Sequence, residues 1–260
     1  MDAIVTAGGR LNADDPLFQQ TGFEKKALIP LAGRPMIAWV IDALSASGVV
    51  DNIVVVGLQP HELELPLKNL HFIDSRGNLI DNLFAGMGKL QELNPELEKF
   101  LVFSSDIPLV TPATVRGFLA ECGDQSADLY YAVVEEATME ARFPNSKRTF
   151  VPLKDGRICG GDAFLVNVNA ANGNIDLARS LVGVRKNTLA QMRLAGIGFL
   201  IRFLFRRVTM QELGQHAGRK TRLDARVVDT QFAELAMDLD KPAQYTMIKA
   251  ELEKQVASQV

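Results

Sequence analysis

Cysteine is scarce: the 260 residues contain two, Cys122 and Cys159. Far apart and alone, they match no metal-site or disulfide spacing, so a reduced, cytoplasmic setting is the simplest reading. Long apolar runs are missing too. The nearest, LAGIGFLIRFLF (194–205), is interrupted by Arg202 and falls short of the roughly 20 residues that span a bilayer. The opening residues, MDAIVTAGG, carry an acid at position 2 and too short an apolar run for a signal peptide. Neither charge dominates: 28 basic against 31 acidic side chains leave a net charge of -3. That excludes a polyanion binder acting by bulk electrostatics, and no nucleic acid partner is expected. The P-loop and the GxGxxG fingerprint are both absent, as are internal repeats and low-complexity linkers.

What remains is ordinary globular material, 47% apolar and 23% charged, enough for one large α/β domain. Its first half alternates short β-branched runs with helical patterns. AIVTA (3–7), NIVVVG (52–57) and KFLVFSSD (99–106) read as buried strands. PMIAWVIDALSASG (35–48), LIDNLFAGMGKLQEL (79–93) and TPATVRGFLAEC (111–122) read as helices, the first and last with proline placed for a first turn. This order predicts a mostly parallel sheet between two helical layers, with ligands at the carboxyl ends of the strands. In the second half, DLYYAVVEE (128–136) is strand-like and 148–168 predicts a hairpin turning at Asp155-Gly156. Residues 177–207 read as mostly helical, RVVDTQFAELAMDLDKP as a strand ending in Asp238-Leu239-Asp240, and PAQYTMIKAELEKQV as a closing helix. The chain is expected to be one domain, 1–260. Residues 1–125 form a nucleotide half, and 126–260 an acceptor-side half with a helical insertion at about 177–226.

Four features suggest chemistry. Ala7-Gly8-Gly9-Arg10 follows the first strand, where glycine lets backbone N–H groups approach phosphate oxygens and arginine adds a charged fork. Lys25-Lys26 precedes ALIPLAGRPMI. Asp106 sits at a strand end, where an acid needs a cation or a partner charge. Asp238 and Asp240 form a second acidic strand end. Taken singly, each has a structural alternative: a turn, a solvated lysine pair, a helix cap. Together, carboxylates, a glycine turn and a lysine describe a site for Mg²⁺ and phosphate.

The run AGG–loop–KKALIPLAGRPMI, then SSDIPLVTP, then DLDKP resembles the nucleotidyltransferases of the glycosyltransferase-A-like superfamily. These include molybdenum-cofactor guanylyltransferase, sugar-1-phosphate uridylyltransferases and the cytidylyltransferase of isoprenoid synthesis. The resemblance covers most of the first 120 residues and the AMDLDKP segment. It implies a three-layer α/β/α Rossmann-like sheet and transfer of NMP from an NTP to a small-molecule acceptor, with release of pyrophosphate. Gly8 and Gly9 match the family's triphosphate loop, and Lys26 its phosphate-binding lysine. Asp106 matches its Mg²⁺-binding acid, and Asp240 its second metal ligand. DNLFAGM (81–87) is similar to a helix start near the base and sugar, with Asn82 where serine is usual. The third loop glycine is missing, however. Some twelve extra residues, NADDPLFQQTGF, separate Arg10 from the lysines and leave the matches of Arg10 and Lys25 open. That loop fits either a flap over the triphosphate or a passive surface excursion.

Acceptor candidates follow from the second half. Lys147 and Arg148 suit an anionic, phosphate-bearing acceptor, Gly160-Gly161 permits close backbone approach, and Asp162 suits a hydroxyl. A plain hairpin with a bulge at the glycines explains the same residues. The arginine-flanked apolar segment 185–207 fits a packed helix or a peripheral membrane contact. Two other functions stay open: a glycosyltransferase of the same broad fold, and a nucleotide-binding regulatory relative without activity. The base and the acceptor are not legible.

Overall fold

The computed structural model describes residues 1–173, 202, 207–212, 215–216 and 223–258. The β-branched runs form the interior of an eight-stranded sheet. Strands β1 (Asp2–Thr6), β4 (Ile53–Val56), β5 (Leu70–Ile73) and β6 (Lys99–Ser104) lie parallel in the order β5-β4-β1-β6. Ile53, Val54, Val55 and Val56 are all fully buried. Unbroken burial, rather than alternation, is what a parallel strand covered on both faces requires. Beyond β6 the sheet turns mixed. Strand β9 (Arg157–Asn167) runs antiparallel between β6 and β7 (Leu129–Glu135), and the edge strand β10 (Ala225–Asp229) runs parallel to β7. The hairpin expected at Asp155-Gly156 joins β8 (Val151–Pro152) to β9.

The two faces are covered by amphipathic helices. Helix α3 (Leu79–Leu93), capped by the Asn78 side chain on the Asp81 amide, packs Met87 and Leu90 against Ile4, Val54 and Val102. On the opposite face α2 (Met36–Ser45) and α4 (Pro112–Glu121) bury Ile37, Val40, Ile41, Val115 and Phe118 against Ala3, Val5, Val55 and Phe103. The three-layer α/β/α arrangement expected from the sequence is therefore present. A small antiparallel pair, β2 (Pro30–Leu31) and β3 (Arg34–Pro35), precedes α2.

Three local readings change. The loop after Arg10 contains helix α1 (Pro16–Thr21), capped by Asp15, whose Leu17 is fully buried beside Ile29, Leu31, Ile248 and Leu252. Leu17 thus ties the loop to an apolar cluster of the core. The strand expected over 128–136 stops at Glu135, and Glu136–Arg142 forms helix α5. The segment expected to be a strand ending at Asp238–Asp240 leaves the sheet at Asp229, makes a 3₁₀ turn (Ala233–Ala236), and passes Asp238 to Asp240 as irregular backbone. Helix α6 (Val168–Gly173) follows β9, and α7 (Pro242–Ala257) closes the fold. Most of the helical insertion at 177–226, and nearly all of segment 185–207 with its membrane reading, lies outside the described residues. Among the described residues no helix is long and apolar enough to cross a membrane.

Candidate active site

At the carboxyl edge of the parallel strands the glycine turn is held by backbone contacts alone. The Ala7 amide bonds Val56 O at 2.8 Å, and the Lys26 amide bonds Gly9 O at 3.1 Å. A short antiparallel bridge, Arg10 to Lys25, sets the lysine pair alongside the glycines. Gly57, which follows β4 at φ +111°, explains how closely these loops approach. A Cβ there would lie 2.7 Å from Gly8 Cα, so only glycine fits. Gly8 in turn faces Ser75 and Asn82, and Asn82 accepts a 2.6 Å hydrogen bond from the Arg76 amide.

Lys26 is the centre of the site. Its ammonium donates to Asp106 Oδ2 at 2.6 Å and also to Asp240 Oδ1. Acids from stretches 134 residues apart in sequence thus meet on one lysine, and the backbone ties them together: Leu239 N donates to Asp106 O at 2.9 Å. Burial alone would pull the Lys26 ammonium down. The two carboxylates overcome that and hold it above the ordinary lysine range. Burial likewise pushes Asp240 up, but Lys26 wins and keeps it below the usual range.

Beneath this pair lies a second one. The Arg148 guanidinium pairs with Asp238 and donates to Gly160 O at 2.8 Å; its side chain is 14% exposed. Asp162, on β9, faces Asp106 and Asp238, and its carboxyl is pushed up to about 8 by burial first and by those acids second. Gly160 and Gly161 fall where the β7–β9 register shifts. A Cβ on Gly161 would stand 3.0 Å from Ala132 O, so the space at that glycine is taken by strand β7.

Ala7, Gly8, Gly9, Lys26, Asn82, Asp106 and Asp240 converge on one edge. Arg10 is at that edge with its side chain largely in solvent, 3.8 Å from Glu24. Lys25 turns aside to Glu62, with contacts of 2.5 and 2.6 Å, and Glu62 also accepts from the Gln59 amide. Lys147 is exposed at φ +59°, and its carbonyl accepts from Lys241 Nζ at 2.7 Å. Gly57, Ser75, Glu62 and Lys241 escaped the sequence reading. Only Gly57 carried a signal, as the residue directly after a buried strand.

The acidic pair fits a divalent cation on one specific ground. Asp106 Oδ1 is buried and has no hydrogen-bond partner, an unused hard-oxygen lone pair beside Asp240. Among the described residues no group of three or more His, Cys, Asp or Glu forms a metal cage, so a bound ion would complete its shell from substrate oxygens or water.

A mostly parallel sheet with a glycine turn, a lysine and two acids at its carboxyl edge defines a nucleotidyltransferase. The family model for the MobA-like NTP transferase domain matches residues 3–220, and the chain belongs to that family. It is similar to a hypothetical transferase from Thermus thermophilus, 33% identical, with a TM-score of 0.82 over 94% of this chain and 98% of that one. It also shares its fold with CMP:2-keto-3-deoxy-manno-octonic acid synthetase in complex with CTP, at 14% identity and a TM-score of 0.60, covering 98% and 100% of the two chains. A bifunctional protein GlmU from Trichormus variabilis is 31% identical over 126 residues, 45% of this chain and 25% of that protein. The chain thus spans only about a quarter of that relative's length.

Proposed function

We propose that this nucleotidyltransferase is Mg²⁺-dependent and moves NMP from an NTP to a small phosphate-bearing acceptor, releasing pyrophosphate. The observation that carries the reading is the meeting of Asp106 and Asp240 on Lys26 beside the Gly8-Gly9 turn. The CTP in the synthetase structure is in line with a nucleoside triphosphate here. Asp106 and Asp240 would hold the cation, which when bound offsets negative charge on the phosphates. Gly8 and Gly9 present backbone N–H groups to the triphosphate, with Ala7 buried behind them and Arg10 at the rim. Asn82 and Ser75 border the nucleoside side, and Lys25 steadies the neighbouring Gln59–Glu62 turn through Glu62. On the opposite side Lys147 and Lys241 offer exposed ammonium groups to the acceptor.

An acceptor phosphate oxygen attacks the α-phosphorus. The new P–O bond forms as the bond to the bridging α–β oxygen breaks, and its electron pair leaves with pyrophosphate. An anionic nucleophile brings no proton, so no general base is required. The chain's share is positioning and charge stabilisation: Lys26 tracks the triphosphate, and the Arg148–Asp238 pair holds the 238–240 loop in register. The test is a screen of four NTPs against phosphate acceptors, read by pyrophosphate release, with Asp106→Ala alongside. Turnover in the variant is expected to fall by at least about a hundredfold with an unchanged circular dichroism spectrum. Near-normal turnover would remove the mechanism.

A further inference from the structure

On the α3 face of the sheet a cleft of about 490 Å³ opens from the catalytic edge, within the roughly 300–1,000 Å³ typical of small-ligand sites. Its catalytic end carries Thr6 and Ser104, the last residues of β1 and β6, together with Asp162. Ser104 stands two residues before Asp106, and the Ser105 amide bonds Thr6 O at 3.1 Å, so this end adjoins the reacting centre. Away from it the walls are hydrocarbon: Leu83 and Phe84 from α3 oppose Phe164 and Val166 from β9. The polar group at the far end, Asp128, already accepts a 2.9 Å hydrogen bond from the Asp224 amide. Leu79 also lines the cleft, at its mouth by the carboxyl edge. It is 47% exposed at the first position of α3, three residues before Asn82, one of three exposed large hydrophobic residues among those described.

A sugar or polyol laid along these walls would leave its hydroxyl groups without partners, a cost a hydrocarbon does not incur. Resting on the function proposed above, we infer that the acceptor is an organic phosphate with an apolar body, its phosphate at the catalytic end and a hydrocarbon or aromatic tail between α3 and β9. The Thr6 and Ser104 hydroxyls suit a phosphate oxygen and the hydrocarbon walls suit a tail. Among the described residues no lysine or arginine lines the cleft itself; the cation beside its head is Lys26, paired with Asp106 two residues beyond Ser104.

The test uses the full chain with Mg²⁺ and the NTP that the screen selects, and compares butyl, hexyl and octyl phosphate with glycerol 3-phosphate. Each added methylene is expected to raise kcat/KM, by up to about fourfold where the tail is fully enclosed. Leu79→Ser is expected to lower the octyl-to-glycerol preference about fivefold. Because this side chain is half exposed, the variant keeps its fold. Calorimetry with octyl phosphate below its micellar concentration should show binding with a negative heat capacity change. Robust turnover of glycerol 3-phosphate with no gain along the alkyl series would overturn the inference and leave the proposed function standing. So would absence of octyl phosphate binding. Failure of every phosphate acceptor to release pyrophosphate would instead strike the proposed function itself.

Discussion

Lys26 occupies the place between two carboxylates where a cation belongs, and this gives it two separable roles. It neutralises Asp106 and Asp240 in the metal-free protein, and on the proposed function its charge turns to phosphate when nucleotide binds. Lys26→Met should therefore lower NTP affinity and at the same time make the protein more responsive to metal. Removing the ammonium leaves two close acids in mutual repulsion, which Mg²⁺ relieves. Thermal unfolding with and without Mg²⁺ checks this: the metal-induced rise in Tm should be larger in the variant than in the parent protein. An equal or smaller rise would show that the pair does not hold the ion. Gly57 supports a second prediction at this scale. A side chain at φ +111° is strained, and its Cβ would meet the Gly8 backbone at 2.7 Å. Gly57→Ala should cost about 1–3 kcal/mol of stability and displace the glycine turn, weakening NTP binding more than it lowers turnover at saturation. Urea unfolding and NTP titration read the two effects separately.

Among the elements, the loop carrying Asp238 and Asp240 shows most plainly what a sequence hides. Its acids are visible, and an alternating strand would have pointed both the same way. Irregular backbone instead sends Asp240 to Lys26 and Asp238 to Arg148. Arg148 read as a grip for the acceptor, because nothing in PNSKRTF reveals a partner ninety residues away. Its guanidinium is spent on Asp238 and Gly160 O, so Arg148→Ala should act through the loop. The uncompensated carboxylate would cost about 3–5 kcal/mol, and kcat should fall along with any rise in acceptor KM. A pure KM effect at full stability would return Arg148 to the acceptor. Helices α3 and α4 were legible to within a residue and α2 to within three at its end, because each combines a proline or side-chain cap with a 3.6-residue apolar period. Helix α1 was not: Asp15, Pro16 and Gly22 mark its two ends, but six residues are too few to show the apolar period that would join them.

Across the whole molecule, the parallel half was readable because doubly covered strands are near-continuous apolar runs. The mixed half was not, since the insertion of β9 between β6 and β7 is a long-range pairing with no local signature. That insertion brings Asp162 beside Asp106 and Asp238 and creates a pH dependence for the fold as a whole. In the metal-free protein the Asp162 carboxyl is pushed up to about 8 by burial, then by Asp106 and Asp238, against the smaller opposing pull of Arg148 and Lys26. In the unfolded chain it titrates at about 4. Between those values the native state holds a proton that the unfolded chain has released, so this group's contribution is full below pH 4 and fades as pH rises through 8. Asp240 and Glu62, held low by Lys26 and Lys25, act in the opposite sense, and their contribution is lost as pH falls below the ordinary carboxylate range. Asp162→Asn keeps the shape and removes the proton. Urea unfolding from pH 5 to pH 8 should therefore show the parent protein losing stability relative to Asp162→Asn, with the gap narrowing when Mg²⁺ supplies positive charge at the neighbouring acids. Parallel profiles across that range would mean that Asp162 is ionised in the native state, and that the strand brought in between β6 and β7 places a charge, rather than a neutral acid, beside the catalytic edge.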